Sequence, residues 1–376
     1  MGQSPTLKTI HVACVVGARP NFMKVAPILR AMHGRPEFRP TLIHTGQHYD
    51  ASLSDIFFAQ LEMPRPDIHL EVGSGSHAVQ TARVLERMEQ VLSAGPGAGQ
   101  AFGRLLVVGD VNSTLAATLA AAKLCIPVAH VEAGLRSHDR TMPEEINRLM
   151  TDAVADLLLV SEPDGVANLQ REGHPEHEIH LVGNVMIDTL FQQLAAVQSV
   201  AQLEALGVAP HQYAVVTLHR PSNVDERDVL SRLVEVLVDV SVRLPVVFPV
   251  HPRTATRLDH WGLGQRLARA PRIHVLPPLG YREFLCLTSQ AKVIITDSGG
   301  LQEESTALGI PCLTMRANTE RPITVTEGTS TLVGNNVDLL RQLLEDVLDG
   351  NYKQGRCPEL WDGKASERIV EVLANT

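Results

Sequence analysis

The sequence holds no run of about 18 apolar residues, the length a helix needs to cross a bilayer, so no spanning helix and no membrane partner are expected. It has no excess of positive charge either. Against 33 Lys and Arg stand 42 Asp and Glu, a net charge of −9. A nonspecific nucleic-acid binder must attract phosphate broadly, so that class is excluded, and a phosphate ligand would need local cations. Cysteine is sparse: Cys14, Cys125, Cys286, Cys312 and Cys357 are scattered, odd in number and without a CxxC spacing. They read as free thiols of a reducing compartment, the cytoplasm, with neither a disulfide framework nor a zinc site. Histidine is plentiful, yet no HExxH or comparable ligand spacing occurs. His174, His177 and His180 fall in a stretch that reads as an exposed loop leading into a strand, and no metal is expected there. The N-terminus lacks the basic start and apolar stretch of a signal peptide. Met1 to Thr6 fits the loose myristoylation pattern, but only one Lys is nearby and the second anchoring signal is missing, so a solvated leader is expected.

What is present is a globular composition, 44% hydrophobic and 20% charged over 376 residues, enough for two domains with their own cores. Apolar strands at 9–16, 41–45, 105–108 and 127–131 alternate with helices at 22–32, 52–61, 78–92 and 114–123, with a loop rich in Pro and Gly at 64–75. A second set of strands follows at 214–218, 246–250, 273–276, 293–296 and 312–315, with helices between them, for example at 226–243 and 301–308. Continuous apolar strands alternating with helices mark parallel sheets covered on both faces. The expected organisation is an N-terminal domain at 1–183, a C-terminal domain at 184–358, and a terminal helix within 359–376 packing back on the first domain. Ligands of open parallel sheets bind beyond the strand C-termini, so residues just past the strands carry most weight.

Six such places stand out. Gly17-Ala18-Arg19-Pro20 leads to Lys24 where a strand enters a helix, a setting that suits phosphate; a plain turn with a solvated Arg competes. Thr296-Asp297-Ser298-Gly299-Gly300-Leu301-Gln302-Glu303-Glu304 again follows a strand and opens a helix, with glycines that let backbone approach a ligand and a hydroxyl to donate to phosphate. A capped turn competes, and Glu304 could simply answer the helix dipole. Asp110, Glu132 and Glu144 form a carboxylate set near one predicted sheet edge, able to divide acid and base work if their environments differ. Singly, Asp110 could cap the next helix, with Asn112 as competitor, and Glu144 could be a surface residue of a helix start. His219-Arg220 and His251-Pro252-Arg253 sit at successive strand ends, where such pairs hold diphosphate or move protons. Arg316 to Pro322, with Glu320-Arg321-Pro322, closes the last strand of the second sheet.

Taken in order, Gly17-Ala18-Arg19-Pro20…Lys24, Val108-Gly109-Asp110, His130-Val131-Glu132-Ala133-Gly134-Leu135-Arg136, Pro143-Glu144-Glu145-Ile146-Asn147-Arg148, Gly183-Asn184, His219-Arg220, Asp297-Ser298-Gly299-Gly300-Leu301-Gln302-Glu303-Glu304 and Thr319-Glu320-Arg321-Pro322 resemble the non-hydrolysing UDP-N-acetylglucosamine 2-epimerases. The resemblance runs from about Val12 to Ser366. It implies two Rossmann-like doubly wound domains facing across a cleft, similar to the GT-B glycosyltransferases, usually as a homodimer, with neither metal nor nicotinamide cofactor. It implies elimination of UDP to 2-acetamidoglucal and re-addition after protonation of C2 from the other face. Asp110, Glu132 and Glu144 become the acid and base candidates, and His219 the group beside the leaving oxygen. Arg19, Lys24, Ser298, Gly299, Gly300 and Arg321 would hold phosphates, and Glu304 the ribose. Phe284 aligns with the residue flanking the uracil, Leu279 with one that contacts it, and Arg148 supports the carboxylates. His251 remains a second-site or interdomain contact.

Two places depart from the family pattern. Ser222 stands where many members carry a Glu after the His-Arg pair. Gln47-His48-Tyr49-Asp50 has Asp where a second Gln marks activation by a second UDP-GlcNAc. Three other readings use the same residues: a hydrolysing epimerase that releases free ManNAc and UDP, a glycosyltransferase of the GT-B type, and a sugar-nucleotide sensor without turnover. A related UDP sugar, such as a diacetamido uronic acid, is also compatible with them.

Overall fold

The computed structural model describes residues 9–47, 61–97, 99–197 and 200–376, and the side chains of Arg19, Val200 and Ala201 lie outside that description. The leader, residues 48–50 and nearly all of the helix expected at 52–61 therefore fall outside the described residues. Contacts separate the chain into two compact units, 1–189 with 359–376, and 190–358.

The first unit is built on a seven-stranded sheet: β1 (Ile10–Val16), β2 (Phe38–His44), β3 (Ile68–His69), β4 (Arg104–Val108), β5 (Val128–Ala133), β6 (Leu157–Val160) and β7 (Ile179–Leu181). Their order is β3-β2-β1-β4-β5-β6-β7 and all pairings are parallel. β4, β5 and β6 are buried at every position. Side chains alternate between the faces of a strand, so full burial means that both faces are covered. Ala13, Val15, Leu105, Val107 and Val128 join one core with Met88 and Leu92 of the helix His77–Ala94. The terminal helix Ala365–Asn375 packs on the helix Arg19–His33. Its start is held by Asp188, whose carboxylate accepts from the Ala365 N–H at 3.0 Å and the Ser366 N–H at 2.7 Å.

The second unit repeats the arrangement with six parallel strands: β8 (Ala214–Thr217), β9 (Val246–Pro249), β10 (Ile273–Leu276), β11 (Val293–Thr296), β12 (Cys312–Thr314) and β13 (Ser330–Leu332), ordered β10-β9-β8-β11-β12-β13. Here the period of two separates two cores. Ala214, Val216, Ile295 and Leu313 point into one, and Tyr213, Val215, Ile294 and Cys312 into the other.

Both orders are that of a Rossmann sheet, in which the chain reverses direction of assembly after its third strand. Each unit is thus a Rossmann-like doubly wound domain. The reversal falls between β1 and β4 in the first unit and between β8 and β11 in the second. The loops that leave those strands are the ones such a sheet offers to a ligand.

Candidate active site

In the first unit the two switch-point loops are bonded together by Asn21. Its carbonyl oxygen accepts from the Gly17 and Ala18 N–H groups at 3.2 and 3.0 Å, and its amide donates to the Val108 carbonyl at 3.0 Å. A side chain at Gly17 would stand 2.4 Å from the Ser113 hydroxyl, so the loops approach as closely as glycine allows. Lys24, one turn into the helix, is ion-paired with Glu132. Glu132 sits at a register shift between β5 and β6, with a left-handed φ of 70°. For a residue with a side chain that conformation costs of order 1–3 kcal/mol, and it is kept where surrounding structure over-determines it. Gly109, itself at φ 66°, leaves room for the pair: a Cβ there would lie 3.2 Å from Lys24 Nζ.

Asp110 does not cap the following helix. The cap position is Val111, without a side-chain cap bond. The Asp110 carboxylate turns instead to Arg148, which donates to Oδ2 from Nε at 2.9 Å and Nη2 at 2.6 Å. Arg148 lies on the helix Pro143–Asp152, whose first turn carries Glu144. Asp110 and Glu144 line one cavity of about 320 Å³ together with Gln47, His77, Asn112 and Asn147. An amide ladder forms its wall: Asn147 donates to the Asp110 carbonyl at 2.8 Å, and Asn112 donates to Gln80 at 3.0 Å. Glu132 is not among the residues lining this cavity.

The same helix supplies two residues to which the sequence reading assigned no role, Glu145 and Asp152. Glu145 accepts from the Ser137 N–H, the His138 N–H and Arg148 at 2.9, 2.9 and 2.6 Å. Burial pushes its carboxyl up, but those donors outweigh it and hold it below the usual carboxylate range. Asp152, fully buried, meets His130 at 2.6 Å and Arg136 at 2.7 Å. Burial again raises its pKa, and His130, Arg136 and the Gly134 N–H bring it below normal. The available signal was spacing. Glu145, Arg148 and Asp152 recur three and four residues apart, which sets them on one helix face.

In the second unit β8 and β11 leave the sheet side by side. Asp297, at 0% exposure, gathers the loop: it accepts from the His219 N–H at 3.0 Å, the Arg220 N–H at 2.9 Å and Asn223 at 2.8 Å, and its Oδ1 lies 2.7 Å from His219 Nδ1. Burial favours its neutral form, but His219, Asn223 and the Arg220 N–H prevail and the carboxyl is held low. An ionised Asp297 only accepts, so Nδ1 of His219 carries the proton and Nε2 is the nitrogen left for a ligand. His219 keeps 39% of its side chain exposed, with the His251 ring 5.5 Å away. His251 caps the helix Pro252–His260, accepting from the Arg253 N–H at 3.2 Å. Burial and the neighbouring His219 push it below the usual imidazole value.

Ser298 is the cap residue of the helix Gly299–Ala307, and its side chain makes no cap bond. A Cβ at Gly300 would meet nothing within 4 Å, and one at Gly299 only Arg316 Nη1 at 3.8 Å. Neither glycine is demanded by packing. Their bareness leaves open space at a helix start, where backbone N–H groups and the dipole favour an anion. One turn on, Glu304 is buried and accepts from the Tyr281 hydroxyl at 3.0 Å. Arg321, also buried, pairs with Glu303 at 2.9 Å. Leu279 and Phe284 are partly buried against the core beside this loop. Among the described residues no group of three or more His, Cys, Asp or Glu could hold a metal ion, and no helix is long and apolar enough to cross a membrane.

Comparison with known proteins places this geometry. The family model described as UDP-N-acetylglucosamine 2-epimerase matches residues 30–374. The UDP-N-acetylglucosamine 2-epimerase of Methanocaldococcus jannaschii is 40% identical over 369 residues, covering 97% of this chain and 99% of that protein. The UDP-2,3-diacetamido-2,3-dideoxy-D-glucuronate 2-epimerase of Pseudomonas aeruginosa is 38% identical, covering 97% and 99%. The crystal structure of the Methanocaldococcus jannaschii enzyme in complex with UDP-GlcNAc and UDP superposes with a TM-score of 0.85 at 38% identity, covering 98% of this chain and 100% of that one. The chain is an epimerase and belongs to the UDP-N-acetylglucosamine 2-epimerase family.

Proposed function

We propose that this epimerase interconverts UDP-N-acetylglucosamine and UDP-N-acetylmannosamine without releasing the free sugar. The observation that carries the reading is the pairing of Asp110 and Glu144 on one cavity, with Arg148 holding one oxygen of Asp110. The C2 proton of the sugar is weakly acidic, so its removal needs a placed carboxylate and a good leaving group. In this reading one of Asp110, Glu132 and Glu144 takes that proton. The C–H electron pair becomes the C1–C2 double bond, and the C1–O bond to UDP breaks. The resulting 2-acetamidoglucal then receives a proton on the opposite face of C2 from another of the three, and UDP adds back to C1.

The second unit serves the UDP. The start of the helix Gly299–Ala307 with Ser298, Gly299 and Gly300 suits phosphate. His219 Nε2, its ring oriented by Asp297, serves the leaving oxygen. Arg19, Lys24 and Arg321 complete the phosphate contacts, Glu304 the ribose contact, and Leu279 and Phe284 the uracil contact. His251 steadies the His219 ring. A homodimer in the cytoplasm goes with this reading, and a light-scattering mass of two chains checks the first part.

The test is to incubate the enzyme with UDP-N-acetylglucosamine and follow the sugar signals by NMR. UDP-N-acetylmannosamine at equilibrium supports the reading. Free N-acetylmannosamine as the main product overturns it in favour of a hydrolysing enzyme. A parallel sample with the UDP-linked diacetamido glucuronate decides the sugar, since the Pseudomonas aeruginosa relative is named for that compound. Turnover of the second compound alone would overturn the substrate while leaving the epimerase.

A further inference from the structure

His130 is fully buried on β5, two residues before Glu132, and takes no part in the reaction as described above. Its two ring nitrogens face two different partners. Nδ1 lies 2.6 Å from Asp152 Oδ1 and Nε2 lies 2.8 Å from the Gly109 carbonyl oxygen. A carbonyl oxygen only accepts. Asp152, whose other oxygen accepts from the Gly134 N–H and pairs with Arg136, is a carboxylate and only accepts as well. A neutral imidazole has one N–H and could serve only one of them, so the ring donates from both nitrogens. The second oxygen of Asp152 accepts from the Gly134 N–H at 2.9 Å and meets Arg136 at 2.7 Å. Arg136 in turn is bound by Glu172 at 2.6 Å and donates to the Leu135 carbonyl at 2.8 Å. Positive His130 and Arg136 thus flank negative Asp152, with Glu172 at the rim.

The places this network touches are specific. Gly109 is the residue immediately before Asp110. Gly134 follows directly on β5, two residues after Glu132 and its register shift. Asp152 ends the helix that carries Glu144 and Arg148. One buried cluster is therefore bonded to the backbone beside Asp110 and close after Glu132, and its Asp152 ends the helix whose first turn carries Glu144. We infer that the His130–Asp152–Arg136 cluster is the positioning device of the acid set, fixing the Gly109–Asp110 loop and the Glu132 bulge relative to the helix Pro143–Asp152. A cluster whose purpose was only to fill the interior would be better replaced by apolar residues of similar size, because burying charges is costly. Paired charges whose hydrogen bonds run to two separate loops and a helix end impose geometry instead. Displacing a reacting group by about 1 Å costs on the order of 100-fold in rate.

This inference rests on the reading of Asp110, Glu132 and Glu144 as the proton-transfer groups. Two substitutions separate the two contacts of His130. His130→Asn sets an amide nitrogen where Nδ1 stands and abandons the Gly109 carbonyl. His130→Gln reaches toward that carbonyl with its amide. The positioning role predicts that His130→Asn lowers kcat on the order of 100-fold with KM changed less than about threefold, and that His130→Gln loses about tenfold at most. UDP affinity, measured by calorimetry, stays within about twofold in both. A merely structural role would lower melting temperature alike in both and leave kcat per folded molecule within about threefold. That result, or an equal loss of kcat in the two, overturns the inference. If either variant does not fold, nitrogen NMR of the wild-type enzyme labelled at its histidines decides. One ring with two directly bonded, slowly exchanging protons at neutral pH supports the inference, and absence of such a ring overturns it. Failure of the underlying reading looks different: Asp110→Asn and Glu132→Gln would then be fully active.

Discussion

The two switch-point regions of this chain share a topology and differ in how they are finished. In the first unit the loops after β1, β4 and β5 are cross-linked by charge: Lys24 with Glu132, Arg148 with Asp110 and Glu145, Asp152 with His130 and Arg136. Even Gly17 has no room for a methyl group. In the second unit the helix start at Gly299 and Gly300 has room to spare, and His219 stays partly open to solvent. On the proposed function, the first region moves a proton at one carbon and needs its groups held still. The second accepts a diphosphate and needs bare N–H groups and space. The same sheet order has been completed in two ways, and the contrast can be broken at named positions.

The largest effect is expected at Asp110. Asp110→Asn keeps the shape but removes the carboxylate, and should lower kcat about 1000-fold while calorimetric UDP affinity survives, since general acid–base groups contribute 100- to 10,000-fold. Wild-type activity in the variant would remove Asp110 from the mechanism. Next come the glycines. Gly300→Ala should weaken UDP binding about tenfold, ~1.4 kcal/mol, with no loss of melting temperature. Gly17→Ala should do the reverse, costing about 1–3 kcal/mol in denaturant unfolding because its methyl meets Ser113. If Gly17→Ala proves neutral and Gly300→Ala unfolds the protein, the contrast between the regions is wrong.

A smaller effect is set by pH. Glu145, Asp152 and Asp297 are all held below the ordinary carboxylate range in the fold. A lowered folded pKa stabilises above the unfolded value of about 4 and is lost as pH falls through the folded value. Melting temperature should therefore hold from neutral pH to about 5 and fall steeply below about 4. Glu145→Gln should flatten part of that fall, at a cost of about 1–3 kcal/mol at neutral pH from leaving its donors poorly matched. The smallest effect concerns the thiols. Cys125 and Cys357 are exposed and Cys14, Cys286 and Cys312 buried, so a thiol reagent should label two groups at once in the folded enzyme and the rest only on unfolding. Burial pushes the Cys14 thiol up to about 12, which slows it further.

Most strands were legible as short apolar runs, and the loops that bear the site follow from their ends. Glu132, Asp110 and His219 were singled out as candidates on that ground. β3, only two residues long, lies in the stretch expected to be a loop at 64–75, and β6 and the polar β13 were not placed from the sequence. Less legible was what holds them. Asp110 read equally well as a helix cap, and only the fold brings Arg148, 38 residues away, to its carboxylate. The left-handed backbone of Glu132 leaves no mark in composition, since no glycine or asparagine announces it. His130 and Asp297 stood inside quoted motifs with no role assigned, because their partners are reached through β-strand pairing and not along the chain. Asp152 was missed altogether. Its signal, a polar residue one turn beyond Arg148, is weak on a helix that carries other charges.

The central claim is that carboxylates of the first unit exchange the C2 proton of a UDP sugar with solvent. The direct measurement is turnover in deuterium oxide with no acceptor present, read by proton NMR and mass. The account predicts one deuterium at C2, and at no other carbon, in both UDP-N-acetylglucosamine and UDP-N-acetylmannosamine. Epimerised product that keeps its original C2 hydrogen would contradict it.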